Sequence, residues 1–290
     1  MHRRGRAAHR STGRVWSCGN RVIELDAPLV MGILNVTPDS FSDGGEHADA
    51  ASAVDHARAM IADGADVIDV GGESTRPGSA GISEAAELGR VLPVVEQLAA
   101  AADPPLISID TRHAAVARAC VNAGASIIND VTGFRDPAMI GVAAGCDAGL
   151  VVMHMLGPDF ATMQDDPRYD DVVAEVATFL GERAAALESV GVDPKRIAVD
   201  PGIGFGKTLE HNLELLRRLP EIAALGYPVL VGASRKRFIG HILDEEDPKR
   251  RVAGSVGAAV FAVINGADIV RVHDVAETAQ ALKVIAAIGR

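Results

Sequence analysis

Cysteine is scarce in this chain. Cys18, Cys120 and Cys146 are odd in number and widely spaced, which excludes a disulfide framework and a Cys-x-x-Cys metal pair. Cys120 and Cys146 are expected in the core as small hydrophobes, and a reducing cytoplasm fits. A surplus of positive charge is also missing. The net charge of -11 over 290 residues argues against a general nucleic-acid binder, because phosphate backbones demand basic surface. It does not exclude a local pocket for one small anion. No apolar run reaches the ~18 residues of a membrane span. The first residues lack the apolar stretch of a secretory signal. They carry Arg3, Arg4, Arg6, Arg10 and Arg14 with no acid before Glu24, so residues 1–14 read as a short disordered basic tail. There is no low-complexity linker, and residues 15–290 are expected to form one domain.

What is present repeats. A helix-like stretch ends in glycine, a short apolar strand follows, and the strand ends in a polar residue. "MIADGADVIDVGG", "CVNAGASIIND" and "AVINGADIVRVHD" are clear copies. "GVAAGCDAGLVVMH", "ESVGVDPKRIAVD" and "IAALGYPVLVGAS" are looser ones. Gly64, Gly124, Gly145, Gly191, Gly226 and Gly266 stand where a helix C-terminus takes a left-handed residue. The strands are near-continuous apolar runs, as in parallel strands covered on both faces. "LVMGILN" and "PLISID" complete a set of eight, alternating with about eight helices. That pattern predicts an α/β protein, a (β/α)8 TIM barrel, rather than an open doubly wound sheet.

Chemistry in such barrels sits at the C-terminal ends of the strands. Here those ends carry Asn35, Glu73, Asp110, Asn129, His154, Asp200, Ser234, and Arg271 with His273. Buried strand ends are expensive places for carboxylates and guanidinium groups without partners, so a mixed-charge mouth is expected. "DPGIGFGKT" at 200–208 imitates a phosphate-binding P-loop, but Pro201 stands where its first glycine belongs, and only three residues separate Gly202 from Gly206. It reads instead as a flexible βα turn with Asp200 facing the mouth. "NVTPDSFSDGG" and "GGESTRPGS" follow the first two barrel strands and read as lids over a site. Arg76 adds a guanidinium suited to an anion. Arg235, Lys236 and Arg237 follow the seventh strand, and Arg271 and His273 end the eighth, the usual phosphate region of this fold. His154 has no His or Cys at ligand spacing, and no zinc site is visible. Asn35 offers an oxygen to Mg2+ where a substrate phosphate supplies other ligands.

Together, "NVTPDSFSDGG", "GGESTRPG", "SIDT", "IINDV", "DPGIGFGKT", "GASRKRF" and "RVHDV" resemble, in order, the segments of the dihydropteroate synthase family. The resemblance runs from about Trp16 to Arg290. It implies a TIM barrel, usually a homodimer, that joins p-aminobenzoate to dihydropterin pyrophosphate in folate biosynthesis and is a sulfonamide target. Carried over by motif, Asp110, Asn129, Met153, Asp200, Gly232 and Lys236 form the pterin pocket. Asn35, Arg76, Arg271 and His273 take the pyrophosphate, with Asn35 also the Mg2+ ligand. Phe41, Thr75, Pro77, Phe205 and Ser234 take the p-aminobenzoate side, and Asp39, Asp43, Arg76 and Lys236 stand in catalytic positions. One segment departs: "HMLGPDFATMQ" replaces a family pattern close to "HMxGxPxxMQ", with the proline moved and one residue more. Two other readings share parts of this pattern: a methyltetrahydrofolate-using methyltransferase barrel partnered with a cobalamin protein, and a pterin-binding barrel without catalysis. The first would not need "STRPG" or the "RVHD" pair; the second would not need Asn35, Thr75, Arg76, Lys236, Arg271 and His273 intact.

Overall fold

Eight short apolar runs form the parallel strands of one barrel, seen in a computed structural model that describes residues 13–37, 46–73, 81–157 and 162–288. Two strands precede them. β1 (Val15–Cys18) and β2 (Arg21–Glu24) make an antiparallel hairpin that turns at Gly19 with φ +61°. The barrel strands are β3 (Leu29–Asn35), β4 (Val67–Gly71), β5 (Leu106–Asp110), β6 (Ile127–Asp130), β7 (Gly149–Met153), β8 (Ile197–Asp200), β9 (Leu230–Val231) and β10 (Ile269–Val272). Neighbours in sequence pair from β3 through β8, β10 pairs with both β3 and β9, and a bridge from Val199 to Val229 closes the ring. The expected TIM barrel is therefore the observed one.

Helices cover the outside: α1 (Glu46–Asp63), α2 (Glu84–Ala99), α3 (Ala114–Asn122), α4 (Pro137–Ala144), α5 (Val172–Ser189), α6 (Leu209–Arg217), α7 (Leu219–Ala223), α8 (Arg237–Leu243), α9 (Val252–Ile264) and α10 (Val275–Ile288). The count exceeds the eight expected because two connections are split. Pro220, at the start of α7, lacks the N–H that would continue α6. Asp244 takes a left-handed conformation (φ +50°) and ends α8 before α9 begins. Five of the six expected glycines have positive φ; Gly145 does not, at −91°, and its N–H simply continues to Gly141 O and Val142 O. Cys120 is buried as expected, whereas Cys146 is only half-buried.

The lower barrel interior is sealed by the hairpin. Leu29, Met31, Val67, Leu106, Ile127, Val151, Ala198, Leu230 and Ile269 come from all eight barrel strands and pack with Trp16, Cys18, Ile23 and Leu25. Trp16 is fully buried, and its indole N–H donates to Arg196 O at 2.9 Å, so the ring brings no unpaired polar atom into the core. Arg14, the last residue of the expected basic tail, pairs with Asp268 at 3.1 Å. With apolar side chains closing the bottom, polar groups are left to the opposite end. Among the described residues no helix is long and apolar enough to cross a membrane.

Candidate active site

Asp69, in the middle of β4, points inward and is fully buried. Its charge is matched by Arg271 of β10, whose Nε lies 2.6 Å from Asp69 Oδ2 and whose Nη2 lies 2.6 Å from Asp110 Oδ2 at the end of β5. Asn129, at the neighbouring position on β6, donates Nδ2 to the Asp69 carboxylate at 3.3 and 3.5 Å. A carboxylate neighbour requires the NH2 there, which turns the Asn129 carbonyl oxygen the other way. Asp200 ends β8, with its Oδ1 accepting the Gly202 N–H at 2.7 Å. Asp110 and Asp200 at strand ends, Asp69 within β4 and Arg271 of β10 thus gather toward one end of the barrel from strands scattered along the whole sequence.

Burial sets the electrostatics. It pushes Asp200 up to about 6, against the Gly202 N–H and Lys236. It pushes Asp110 up to about 7, with Arg271 opposing and Asp69 adding to the rise. Burial also works against the charge of Arg271, but Asp69 and Asp110 more than offset it and hold the guanidinium above its ordinary value. Lys236 is lowered to about 8 by burial and then by Arg271. These groups hold opposite charges in a water-poor pocket, where each is worth more than in bulk solvent.

The turn after β8 brings an aromatic wall. Phe205 packs with Val131, Met153, Met155 and Met163, and its ring centroid lies 3.9 Å below Lys236 Nζ, a cation–π contact. Close to it, Lys207 is buried, with Nζ 2.9 Å from His154 Nδ1 and 3.0 Å from Phe205 O. Burial, then Lys207 and Arg135, push His154 down to about 2, so its ring is neutral. Gly202 has φ +68°, and a Cβ there would fall 1.9 Å from His154 O. Gly232 lies against Arg271, where a Cβ would meet Arg271 Cβ at 3.8 Å.

At the rim, Ser234 Oγ accepts the His273 N–H at 3.2 Å and lies 3.1 Å from His273 Nδ1. Burial, then Arg271 and Arg235, push His273 down to about 3. His273 is therefore a neutral hydrogen-bonding ring at neutral pH. Of the three cations after β9, only Lys236 enters the mouth. Arg235 forks onto Asp274 at 2.5 and 3.1 Å, and Arg237 is exposed at the start of α8. Glu73 turns from the mouth to Arg112, accepting Nε and Nη2 at 2.9 Å each, and also accepts the Ile82 N–H.

Asp110, Asn129, Met153, Asp200, Phe205, Gly232, Ser234, Lys236, Arg271 and His273 are thus brought to one end of the barrel, with Asn35 at the end of β3. Asp39, Phe41, Asp43, Thr75, Arg76 and Pro77 lie outside the described residues. Sequence reasoning missed Asp69 and Lys207. Asp69 interrupts the apolar run "VIDVG", and an acid inside a fully buried strand was the available signal. A shallow groove of about 510 Å³ lined in part by Ala115, Arg118 and Asn122 lies on the outer helices, away from these charged groups.

Residues 31–273 match the family model described as pterin binding enzyme. A dihydropteroate synthase of Neisseria meningitidis serogroup C is 48% identical over 95% of this chain and 98% of its own length. The solved structure of Xanthomonas albilineans dihydropteroate synthase with 4-aminobenzoic acid superposes with a TM-score of 0.88 at 48% identity, covering 94% of this chain and 97% of that one. The same organism's enzyme in complex with 7,8-dihydropteroate gives 0.86 at 46% identity, covering 94% and 98%.

Proposed function

The chain belongs to the dihydropteroate synthase family of pterin-binding enzymes, and from that premise we propose how its residues divide the work. The family reaction condenses p-aminobenzoate with (7,8-dihydropterin-6-yl)methyl diphosphate to give 7,8-dihydropteroate and diphosphate in folate biosynthesis. The observation that carries the reading is the junction of Asp69, Asp110, Asn129 and Asp200 with Arg271 and Lys236 at the strand ends.

A pterin presents a flat edge of donors and acceptors. Asp200 accepts from its aminopyrimidine, the carbonyl of Asn129 accepts a further N–H, and Asp110 takes a ring or amine hydrogen. Met153, Gly232 and the stem of Lys236 line the faces. Departure of diphosphate leaves positive charge spreading into the pterin, which the acidic pocket stabilises. Arg271, Arg76 and the His273 ring Nε2–H meet the leaving anion. The uncharged arylamine then attacks, flanked by Phe205, Ser234, Phe41, Thr75 and Pro77, so no strong general base is required. Asp39, Asp43 and Arg76 of the two early loops, together with Lys236, are proposed to complete the reacting centre.

The residues present fit a Mg2+ ion held through the substrate. A Cβ at Gly71 would lie 3.9 Å from Asn35 Oδ1 and 3.7 Å from Asp110 Oδ2, so hard oxygen donors share one side of the mouth. Among the described residues no cluster of three His, Cys, Asp or Glu is present. When bound, Mg2+ would supply charge neutralisation for the leaving group.

A homodimer is supported by apolar side chains left exposed on the last helices: Ile242 and Leu243 of α8, Phe261 and Ile264 of α9, Val284 and Ile288 of α10. A cytoplasmic setting agrees with the reduced cysteines. The test is diphosphate release. Both substrates with Mg2+ should yield stoichiometric diphosphate, and Arg271→Ala should lower kcat/KM at least about 100-fold, as for loss of a charged transition-state partner. No release above background from wild-type protein would overturn the assignment.

A further inference from the structure

Three consecutive carbonyls in the turn after β8 are each caught by a side chain. Gln164 Nε2 donates to Gly204 O at 2.5 Å, Lys207 Nζ to Phe205 O at 3.0 Å, and the Tyr169 hydroxyl to Gly206 O at 2.9 Å. The Gly204 N–H goes to Asn212 Oδ1 at 2.7 Å. A surface turn would leave such groups to water. Gln164 and Tyr169 come from the segment between β7 and α5. Lys207 belongs to the turn itself and folds back under it. The residue is 4% exposed, and its ammonium is also 2.9 Å from Nδ1 of the neutral His154 ring just beyond β7. That ring packs edge-on against Phe179 at 5.0 Å, and the His154 N–H bonds to Asp200 O at 3.0 Å. Lys207 therefore ties the Phe205 backbone to a rigid point beside Asp200.

We infer that Lys207 is a positioning residue for the arylamine step: by holding the Phe205 carbonyl against His154, it keeps the Phe205 ring under the Lys236 ammonium where the two substrates meet. This rests on the reading of Phe205 as an arylamine wall and Lys236 as a pterin contact. A buried lysine donating to one carbonyl and one imidazole loses its hold when it loses charge, because a neutral amine is a weaker donor. Burial lowers Lys207 to about 7, with Asp200 pulling back and Lys236 adding to the fall. The titratable groups that face it are His154, Asp200, Lys236, and, more remotely, His211 of α6.

The experiment compares Lys207→Met, Lys207→Gln and Phe205→Ala with wild type by steady-state kinetics on both substrates, with circular dichroism and thermal melts. Loss of a charge-assisted bond predicts that Lys207→Met raises KM for p-aminobenzoate about tenfold while KM for the pterin diphosphate changes less than about twofold. Lys207→Gln, which keeps a donor without a charge, should recover part of that loss. Wild type is expected to show a p-aminobenzoate KM that rises above neutral pH as Lys207 loses its proton, and that rise should vanish in both variants. A wild-type p-aminobenzoate KM in folded Lys207→Met, or equal changes in both KM values following a lowered melting temperature, overturns the inference. Should the Met variant not fold, the Gln variant carries the same readings. If Phe205→Ala leaves the p-aminobenzoate KM unchanged, the arylamine-wall reading fails and the inference with it. If only Phe205→Ala raises it, the inference alone fails.

Discussion

Arg271 Nε lies 2.6 Å from Asp69 Oδ2, an ion pair that joins β10 to β4 across 202 residues of sequence. Asp69 is fully buried and Arg271 is 19% exposed, so neither charge is solvated enough to stand alone. The pair positions the guanidinium that also reaches Asp110, and it orients Asn129. Its value is one of alignment. Removing one member is expected to hurt more than replacing both.

Asp69→Leu should therefore lose on the order of 1–3 kcal/mol of stability, because Arg271 is left with Asp110 as its one carboxylate and the Asn129 amide loses its acceptor. The double variant Asp69→Leu with Arg271→Met should lose less than the sum of the single losses. Urea unfolding of the four proteins tests this. Additive losses would mean that the two side chains are not coupled.

Glycine at 202 and at 191 makes a second contrast. Both have positive φ, +68° and +95°, but a Cβ at 202 meets His154 O at 1.9 Å, whereas at 191 nothing lies within 4 Å. Gly191→Ala should lose about 1–2 kcal/mol, the backbone term alone. Gly202→Ala must also part the β7 and β8 ends, and should lose more than about 3 kcal/mol. Equal denaturation midpoints would show that the β8 turn tolerates the displacement.

How much of this was written legibly follows from what each signal encodes. Parallel strands buried on both faces appear as apolar runs, so the eight barrel strands were readable. The hairpin was not, because its two strands have only four residues each and β2 alternates, with Val22 exposed and Ile23 buried, so neither reads as an apolar run. Asp110, Asn129, Asp200 and Arg271 were found because they end strands. Asp69 was missed because it lies inside one, where its partner comes from 202 residues away. His273 was found by position but not by charge state, since sequence carries no measure of the burial and neighbouring cations that keep its ring neutral. Arg235 likewise looked free until α10 brought Asp274 against it.

The neutral His273 ring leads to a further prediction. Ser234 Oγ accepts the His273 backbone N–H and lies 3.1 Å from Nδ1. Donation of the Ser234 proton to Nδ1 would place the ring proton on Nε2, available to an anion. Ser234→Ala removes the group that fixes this tautomer, and diphosphate affinity should fall about tenfold, the scale of one hydrogen bond to a charged ligand. Because the ring stays neutral, His273 should show no titration between pH 5 and 8. NMR of the imidazole resonances checks this directly; a midpoint near 6.5 would restore the charged role.

Asp200 links affinity and stability with opposite signs. In the folded protein its carboxyl is pushed up to about 6 by burial, from an ordinary aspartate value of 3.8. Between those two values the folded state binds a proton that the unfolded chain has released, so folding is favoured by acid in this window. The contribution of Asp200 to stability therefore falls as pH rises from about 4 to about 6, and is flat above that. About two pKa units correspond to a differential on the order of 3 kcal/mol. Pterin binding needs the ionised form, so affinity should rise through the same window. Asp200→Asn isolates the group: its amide oxygen still accepts the Gly202 N–H, and its side chain does not titrate. Relative to this variant, wild type should lose stability from pH 4 to pH 6 while gaining pterin affinity, reaching at least about 100-fold tighter binding at pH 7 from two charged hydrogen bonds. Denaturant melts and calorimetric pterin titrations at pH 4.5, 5.5, 6.5 and 7.5 supply both curves. If wild type instead gains stability relative to Asp200→Asn as pH rises, the carboxylate is held charged by partners of its own, and it would not be the unpaired acceptor that a pterin requires.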